Sequence, residues 1–214
     1  ITGYTASYSA ASYDVFVIKL NTSGNFSWAK RIGGTSFDES YSIQQTFDNG
    51  YVIVGNTYSY GAGKYDVFVI KLDSSGNLSW AKAIGGKEQD YGKFIQQTSD
   101  GGYVITGSTK SYGAAGEDVF VIKLDSSGKV SWAKAISGAS GNSIQQTSNG
   151  GYIIAGDIWY SAGGYDIFVV KLDSSGKVSW AKKIGGTAND YGKSIQQTSD
   201  NGTSSGYIIT GYGA

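Results

Sequence analysis

One seven-residue string dominates this chain. DVFVIKL occurs at Asp14 to Leu20, Asp66 to Leu72 and Asp118 to Leu124, and DIFVVKL follows at Asp166 to Leu172. The spacings are 52, 52 and 48 residues. Three further strings keep step with it. SWAK begins at Ser27, Ser79, Ser131 and Ser179, and IQQT at Ile43, Ile95, Ile144 and Ile195. An apolar stretch ending in Gly begins at Tyr51, Tyr103, Tyr152 and Tyr207, and a fragment of a fifth copy, ITG, opens the chain. Such a period means that each unit is one supersecondary element that buries its apolar face only by stacking on the next.

Each unit holds four short segments rich in Val, Ile, Tyr, Phe, Trp or Thr, separated by Gly, Asp, Asn or Ser, which reads as four strands. No stretch has a helical period with caps. SDGG (Ser99 to Gly102) and FDNG (Phe47 to Gly50) suit tight hairpins because Gly and Asn accept positive φ. DSSG (Asp73 to Gly76) is a second hairpin turn. The other two connections are longer, as in Ser108 to Glu117 and Ile84 to Phe94. Four strands per unit of about 50 residues is the pattern of propeller blades. A β-trefoil needs three units and a parallel β-helix a much shorter period.

The layout resembles the kelch repeat, and more closely the extracellular β-propeller repeats of bacteria and archaea, whose units read roughly DxFVxKLDxxGxxxW…GGxxxDYGxxIxxxxDGGYxxxG. The resemblance covers essentially the whole chain. It implies a blade with IQQT innermost, the Tyr strand second, DVFVIKL third and SWAK outermost, with the short hairpins on one face and the long connections on the other. The expected fold is therefore all-β: one β-propeller domain over residues 1–214, with four blades of four antiparallel strands. Residues 195–211 supply two inner strands and residues 14–30 two outer ones, so pairing the N- and C-terminal strands is expected to close the ring and remove its free edges. Ile1 to Gly3 complicates this, because it duplicates Ile209 to Gly211, and Tyr4 duplicates Tyr212. Both copies cannot hold one second-strand position. Either the chain belongs to a longer array or Ile1 to Gly3 hangs off the ring.

Composition narrows function by exclusion. Lys plus Arg equals Asp plus Glu at 17 each, so the basic footprint of a nucleic-acid binder is missing. Apolar runs such as Val15 to Ile18 are too short for a membrane-spanning helix. There is no Cys, His, Met or Pro. That removes the disulfide framework, the thiolate nucleophile, the commonest general base and the commonest transition-metal ligand. The chain opens at Ile1 without a signal peptide, as a mature or excised segment would. No cofactor, no metal site and no catalytic residue is expected.

Candidate residues divide into those that repeat and those that break the repeat. Trp28, Trp80, Trp132 and Trp180 recur in every unit, which points to packing between blades rather than sugar stacking. Asp14, Asp66, Asp118 and Asp166 open the third strand and are expected to accept loop N–H bonds. The Gln pairs, such as Gln96 and Gln97, are expected to bond between strands. Asp73, Asp125 and Asp173 in the DSSG turns lack the alternating carboxylates that calcium needs. The acidic connections at Asp38, Glu39, Glu88, Asp90 and Asp190 are weak metal candidates of the same kind.

Repeat-breaking positions carry more information. Trp159 is the one Trp outside SWAK, in the long connection Asp157 to Tyr165. In the same unit the connection before IQQT shrinks to Ile136 to Ser143 and loses its DYG triplet. A shortened rim loop beside an exposed aromatic is expected to open a shallow groove. Trp159, Tyr160, Asp157, Tyr112 and Tyr165 are the expected ligand contacts. Asn21, Asn25, Asn77 and Asn201 lie in N-x-S/T sequons, which matter in a glycosylating secretory route.

The expectation is a non-catalytic extracellular or cell-surface propeller. It would act as a binding, adhesion or structural scaffold module, meeting protein or glycan through the long-loop face and able to self-associate. A lectin-like binder with a site on every blade is the alternative. A polysaccharide hydrolase or lyase built on carboxylates is the third reading.

Overall fold

The structure, a computed structural model, describes residues 1–7, 12–114, 116–136, 138–160, 164–200 and 202–213. All regular structure among them is β, in seventeen strands. The first sheet holds β1 (Thr2–Thr5), β2 (Asp14–Leu20) and β3 (Phe26–Ile32). The second holds β4 (Asp38–Gln45), β5 (Tyr51–Thr57), β6 (Asp66–Leu72) and β7 (Leu78–Ile84). The third holds β8 (Asp90–Gln97), β9 (Tyr103–Thr109), β10 (Asp118–Leu124) and β11 (Val130–Ile136). The fourth holds β12 (Ala139–Gln146), β13 (Tyr152–Tyr160), β14 (Gly164–Leu172) and β15 (Val178–Ile184). The fifth holds β16 (Asp190–Asp200) and β17 (Thr203–Gly213).

Every pairing is antiparallel between chain neighbours, as the two-residue alternation and short turns require. Gly76, Gly128 and Gly176 each hold φ at +80° in the DSSG turns, a conformation costly to any residue with a Cβ. The Asp of each turn caps it: Asp73 Oδ1 accepts from Ser75 N and Asn77 N, both at 2.8 Å. Asp48 and Asp100 cap the other short hairpins, accepting from Gly50 N and Gly102 N.

Successive sheets stack face to face. β6 and β10 are buried along their whole length, while β15 is exposed along its own. Strands covered on both faces read as continuous apolar runs, which is why DVFVIKL lacks clean alternation. A buried apolar cluster fills each gap between consecutive sheets. The repeat tryptophans sit there. Trp28 packs edge-on to Tyr51 of the next sheet, Trp80 to Tyr103 and Trp132 to Tyr152, at 5.7–5.9 Å between ring centroids. The Gln pairs stitch the sheets as well. Gln44, Gln96 and Gln145 accept from the backbone N of Gln97, Gln146 and Gln197 one sheet later, at 2.6–2.7 Å. Gln97, Gln146 and Gln197 accept in return from Phe47, Ser99 and Ser148 one sheet earlier, each at 2.8 Å.

The ends differ from the expectation. Three sheets have four strands, the first has three and the fifth two. The terminal strands do not pair with each other: β1 lies on β2, and β17 pairs with β16. Gly3 stands opposite Phe16, the register of Gly55 with Phe68, Gly107 with Phe120 and Gly156 with Phe168. Ile1 to Gly3 therefore does not hang loose. It occupies the second-strand place that the expected closure assigned to the C-terminal copy.

Candidate binding cleft

The long connections interlock at one end of the sheets. Tyr60 OH donates to Gly33 O and Tyr112 OH to Gly85 O, at 2.9 and 2.8 Å. Asp66 and Asp118 accept from Ala62 N and Ala114 N, in the role expected of the repeated aspartates. Asp14 and Asp166 instead pair with Arg31 and Lys183. Asp38, Asp90 and Asp190 accept from Gly34, Gly86 and Gly186 N, so these acidic connections also serve as loop caps. Among the described residues, no group of three or more Asp or Glu is placed to hold a metal ion.

At this end the residue before the repeated DVF or DIF string meets the second residue of the next inner strand in two junctions. Tyr65 stacks on Tyr91 and Tyr165 on Tyr191, at 5.7 and 5.2 Å and tilted by 34° and 32°. In the first junction Tyr13 and Glu39 hold these places, and with Tyr4 and Phe37, whose rings pack on Tyr13, they line a more aromatic cleft of about 230 Å³. Between the third and fourth sheets neither aromatic is present, because the two places are taken by Glu117 and Ser140. A cleft of about 240 Å³ opens there, lined by Glu117, Gly138, Ala139, Ser140, Asp157, Trp159 and Tyr165.

The walls of the cleft are built locally. β13 and β14 run on as a ladder to Tyr160 and Gly164, and Trp159 stands opposite Tyr165 in it. β5 and β9 stop at Thr57 and Thr109 and pass into capped loops. The longer ladder holds Trp159 out, 59% exposed, with Tyr165 at 39%. Tyr165 N donates to Asn189 Oδ1, which fixes that strand end.

The floor is a polar network. Lys93 Nζ donates to Ser140 Oγ at 2.6 Å and to Asn142 Oδ1 at 2.9 Å. Asn142 Nδ2 donates to Asp157 Oδ2 and to Gly192 O, and Asp157 Oδ1 accepts from Gly192 N. Burial pushes the Lys93 ammonium below its ordinary range, while the Glu117 and Asp157 carboxylates pull it back up. The Asp157 oxygens are committed to this network, whereas Glu117 is exposed. The cleft thus presents two aromatic faces, one solvent-facing carboxylate and a seryl oxygen on a fixed floor. It holds no His or Cys, and its two carboxylates differ in kind, one tied down and one open.

Three of the five expected contacts meet here: Trp159, Asp157 and Tyr165. Tyr112 does not line this cleft. Its ring lies on Phe120 at 5.5 Å and its hydroxyl binds the Gly85 carbonyl, so it braces the neighbouring connection. Tyr160 stands opposite Gly164, and its side chain lies outside the described residues, as does Asn201. Asn21, Asn25 and Asn77 are exposed. Glu117, Ser140 and Lys93 escaped sequence reasoning. The signal for Glu117 was readable, because the residue before each DVF or DIF string is Tyr13, Tyr65, Glu117 and Tyr165 in turn. No protein-family model and no curated protein matches this chain.

Proposed function

We propose that this protein is a non-catalytic binding module of the extracellular or cell-surface kind, with its sheets arranged as the blades of a propeller. The cleft between the third and fourth sheets is its recognition site, and its ligand is a glycan or a protein loop that stacks on Trp159. On this reading the terminal strands at the two ends contribute to one composite blade. The carrying observation is that the scaffold repeats while one junction alone lacks both its aromatics, next to an exposed Trp. Aromatic faces with a few fixed polar groups are a common basis for recognising sugars and side chains.

A lectin with one site per blade fits less well. Trp28, Trp80 and Trp132 are half-buried in inter-sheet packing, which leaves less of each ring for a sugar than the exposed Trp159 offers. Glycosidase chemistry needs two carboxyls working across one bond, and Asp157 is held by Asn142, Gly192 and Lys193.

The test is a glycan array and a panel of soluble oligosaccharides, read by binding and by Trp fluorescence, with the parent and Trp159→Ala. Loss of about 1–3 kcal/mol in binding, roughly 5- to 150-fold in Kd, is expected for removing one stacking aromatic. Unchanged binding of Trp159→Ala to every glycan or protein the parent recognises would end this reading, as would turnover of any polysaccharide.

A further inference from the structure

We infer that the outer face of the sheet stack carries a second binding surface, a row of basic grooves that takes an anionic polysaccharide. The grooves lie between the outermost strands of successive sheets and share no residue with the Trp159 cleft. None of β1, β16 and β17 lines them. The inference stands apart from the reading of the cleft.

Three observations support it. The first is where the charge lies. The whole chain is neutral, with 17 basic and 17 acidic residues. Its outermost strands are not. β3, β7 and β11 carry Lys30, Arg31, Lys82 and Lys134 and no Asp or Glu. The Lys holds the same SWAK place in each, so these cations form a row with one member per sheet. Arg31 is paired with Asp14 at 2.8 Å. Among the described residues, no carboxylate lies within ion-pair distance of Lys30, Lys82 or Lys134. The acidic residues of the adjoining turns are committed to backbone. Asp73 Oδ1 accepts from Ser75 N and Asn77 N, and Asp125 Oδ1 from Ser127 N and Lys129 N.

The second is shape. Between the first and second sheets a groove of about 730 Å³ is lined by Lys30, Arg31 and Lys82, with Tyr60, Phe68 and Asn77 in its walls. Between the second and third sheets a groove of about 370 Å³ is lined by Lys82 and Lys129. Lys82 borders both, so a polymer passing from one groove to the next keeps contact with it. Tyr60 is 48% exposed, and the bond of its hydroxyl to Gly33 O fixes the ring. Lys30 Nζ reaches Asn77 Oδ1 of the next sheet at 3.4 Å. The larger groove thus offers ammonium and guanidinium donors, an amide and one apolar ring face. That set suits a sugar carrying a carboxylate or a sulfate.

The third bears on the kind of occupant. An acidic peptide in extended form would add to an exposed strand edge through main-chain hydrogen bonds. β3, β7 and β11 are built against that. Each is bulged at the same place, Ser27, Ser79 and Ser131, where the pairing slips by one residue. A bulge and a mid-strand Lys both stop a further strand from adding to an edge. A polysaccharide needs only the side chains and the ring. Edge protection explains one Lys per strand, and leaves Arg31 and Lys129, which make the same grooves more basic, unexplained.

Each groove offers only a few cations, and exposed charge contacts are individually weak. Affinity therefore comes from one polymer touching successive grooves at once. It falls with salt, because binding releases the counterions of the polymer. A neutral polymer gains nothing from the row, and an oligomer too short to reach two grooves gains little.

The test is affinity electrophoresis of the full chain through gels holding polygalacturonate, chondroitin sulfate or neutral dextran, with duplex DNA as a competing polyanion that is not a polysaccharide. At least one acidic polysaccharide should retard the chain, and which one does so separates carboxylate from sulfate recognition. Dextran should not retard it. Binding should weaken by about 10-fold or more between about 20 and 200 mM salt. Lys30→Gln/Lys82→Gln/Lys134→Gln should weaken it by about 10-fold or more at low salt, with an unchanged Tm. Lys64→Gln/Lys87→Gln/Lys110→Gln removes the same charge from the long connections and should bind as the parent does. Trp159→Ala should do so too. The inference is overturned if neither acidic polysaccharide is bound at the lowest salt, if duplex DNA competes as well as the polysaccharide itself, or if the two triple variants lose binding equally. Loss of polysaccharide binding in Trp159→Ala also overturns it, by moving the acidic ligand to the cleft.

Discussion

The junction between the second and third sheets and the junction between the third and fourth share the same sheet stacking and differ at the rim, above all at two side chains. In the first, Tyr65 lies on Tyr91 at 5.7 Å between ring centroids. In the second, Glu117 and Ser140 stand at the same two places and a cleft remains. The inter-sheet Gln bonds agree within 0.1 Å across the two junctions. The packing of Trp80 on Tyr103 matches that of Trp132 on Tyr152. A cleft can therefore be cut into a repeat by removing an aromatic pair at the rim, because the apolar clusters beneath carry the stacking. The two junctions also differ at the opposite end. Asp48 and Asp100 tie Lys71 and Lys123, where the fourth sheet has Asn149 beside Lys171.

The strongest test of that shared scaffold is steric. A Cβ on Gly107 would lie 1.8 Å from Tyr91 O, and one on Gly156 1.8 Å from Ser140 O. Gly107→Ala and Gly156→Ala should each destabilise by about 3 kcal/mol or more, since backbone cannot yield as a side chain does. Equal losses in denaturant unfolding are expected for a shared backbone packing beneath the rim, and a much smaller loss at Gly156 would break the comparison.

A gentler test converts one junction into the other. Glu117→Tyr with Ser140→Tyr should restore the stacked pair, gain about 1 kcal/mol, as such pairs do, and abolish ligand binding. A double variant that loses stability would show that the third junction is shaped against the ring pair.

The smallest effect separates the sheets by acid. Asp48 is held down to about 2 by its bonds to Thr46, Lys71 and Gly50 N. Asp100 is held at about 2 as well, burial opposing and the bonds to Thr98, Lys123 and Gly102 N prevailing. A carboxyl whose pKa falls on folding stabilises above its unfolded value near 4 and loses that contribution as pH drops through 2. The Tm should fall between about pH 4 and 2. The Asp48→Asn/Asp100→Asn variant should show a flatter profile there, and an identical profile would remove these ties from the account. Because both carboxylates face solvent, the shift in Tm should be small.

Much of this was legible from local chemistry. The Gly and Asn of the turns, the apolar strings and the recurrent Trp specify strands, hairpins and packing faces through contacts a few residues apart. Trp159 and the shortened connection, both readable in the sequence, meet at one cleft in the fold. Tyr112 was misplaced, because its ring and hydroxyl are satisfied by Phe120 and Gly85 on the next connection. The Lys93 floor was hidden, because it joins β8 to β12 across 47 and 49 residues.

By itself the sequence determined four-stranded units, their order, their turns and the role of the tryptophans between them, since each follows from a short period repeated along the chain. Only the tertiary structure decided that Glu117 meets Ser140 and that β1 rather than β17 sits on β2. The first depends on how one sheet seats on the next. The second is a competition between two identical strings for one edge, and identical strings have no local preference by which a sequence could rank them.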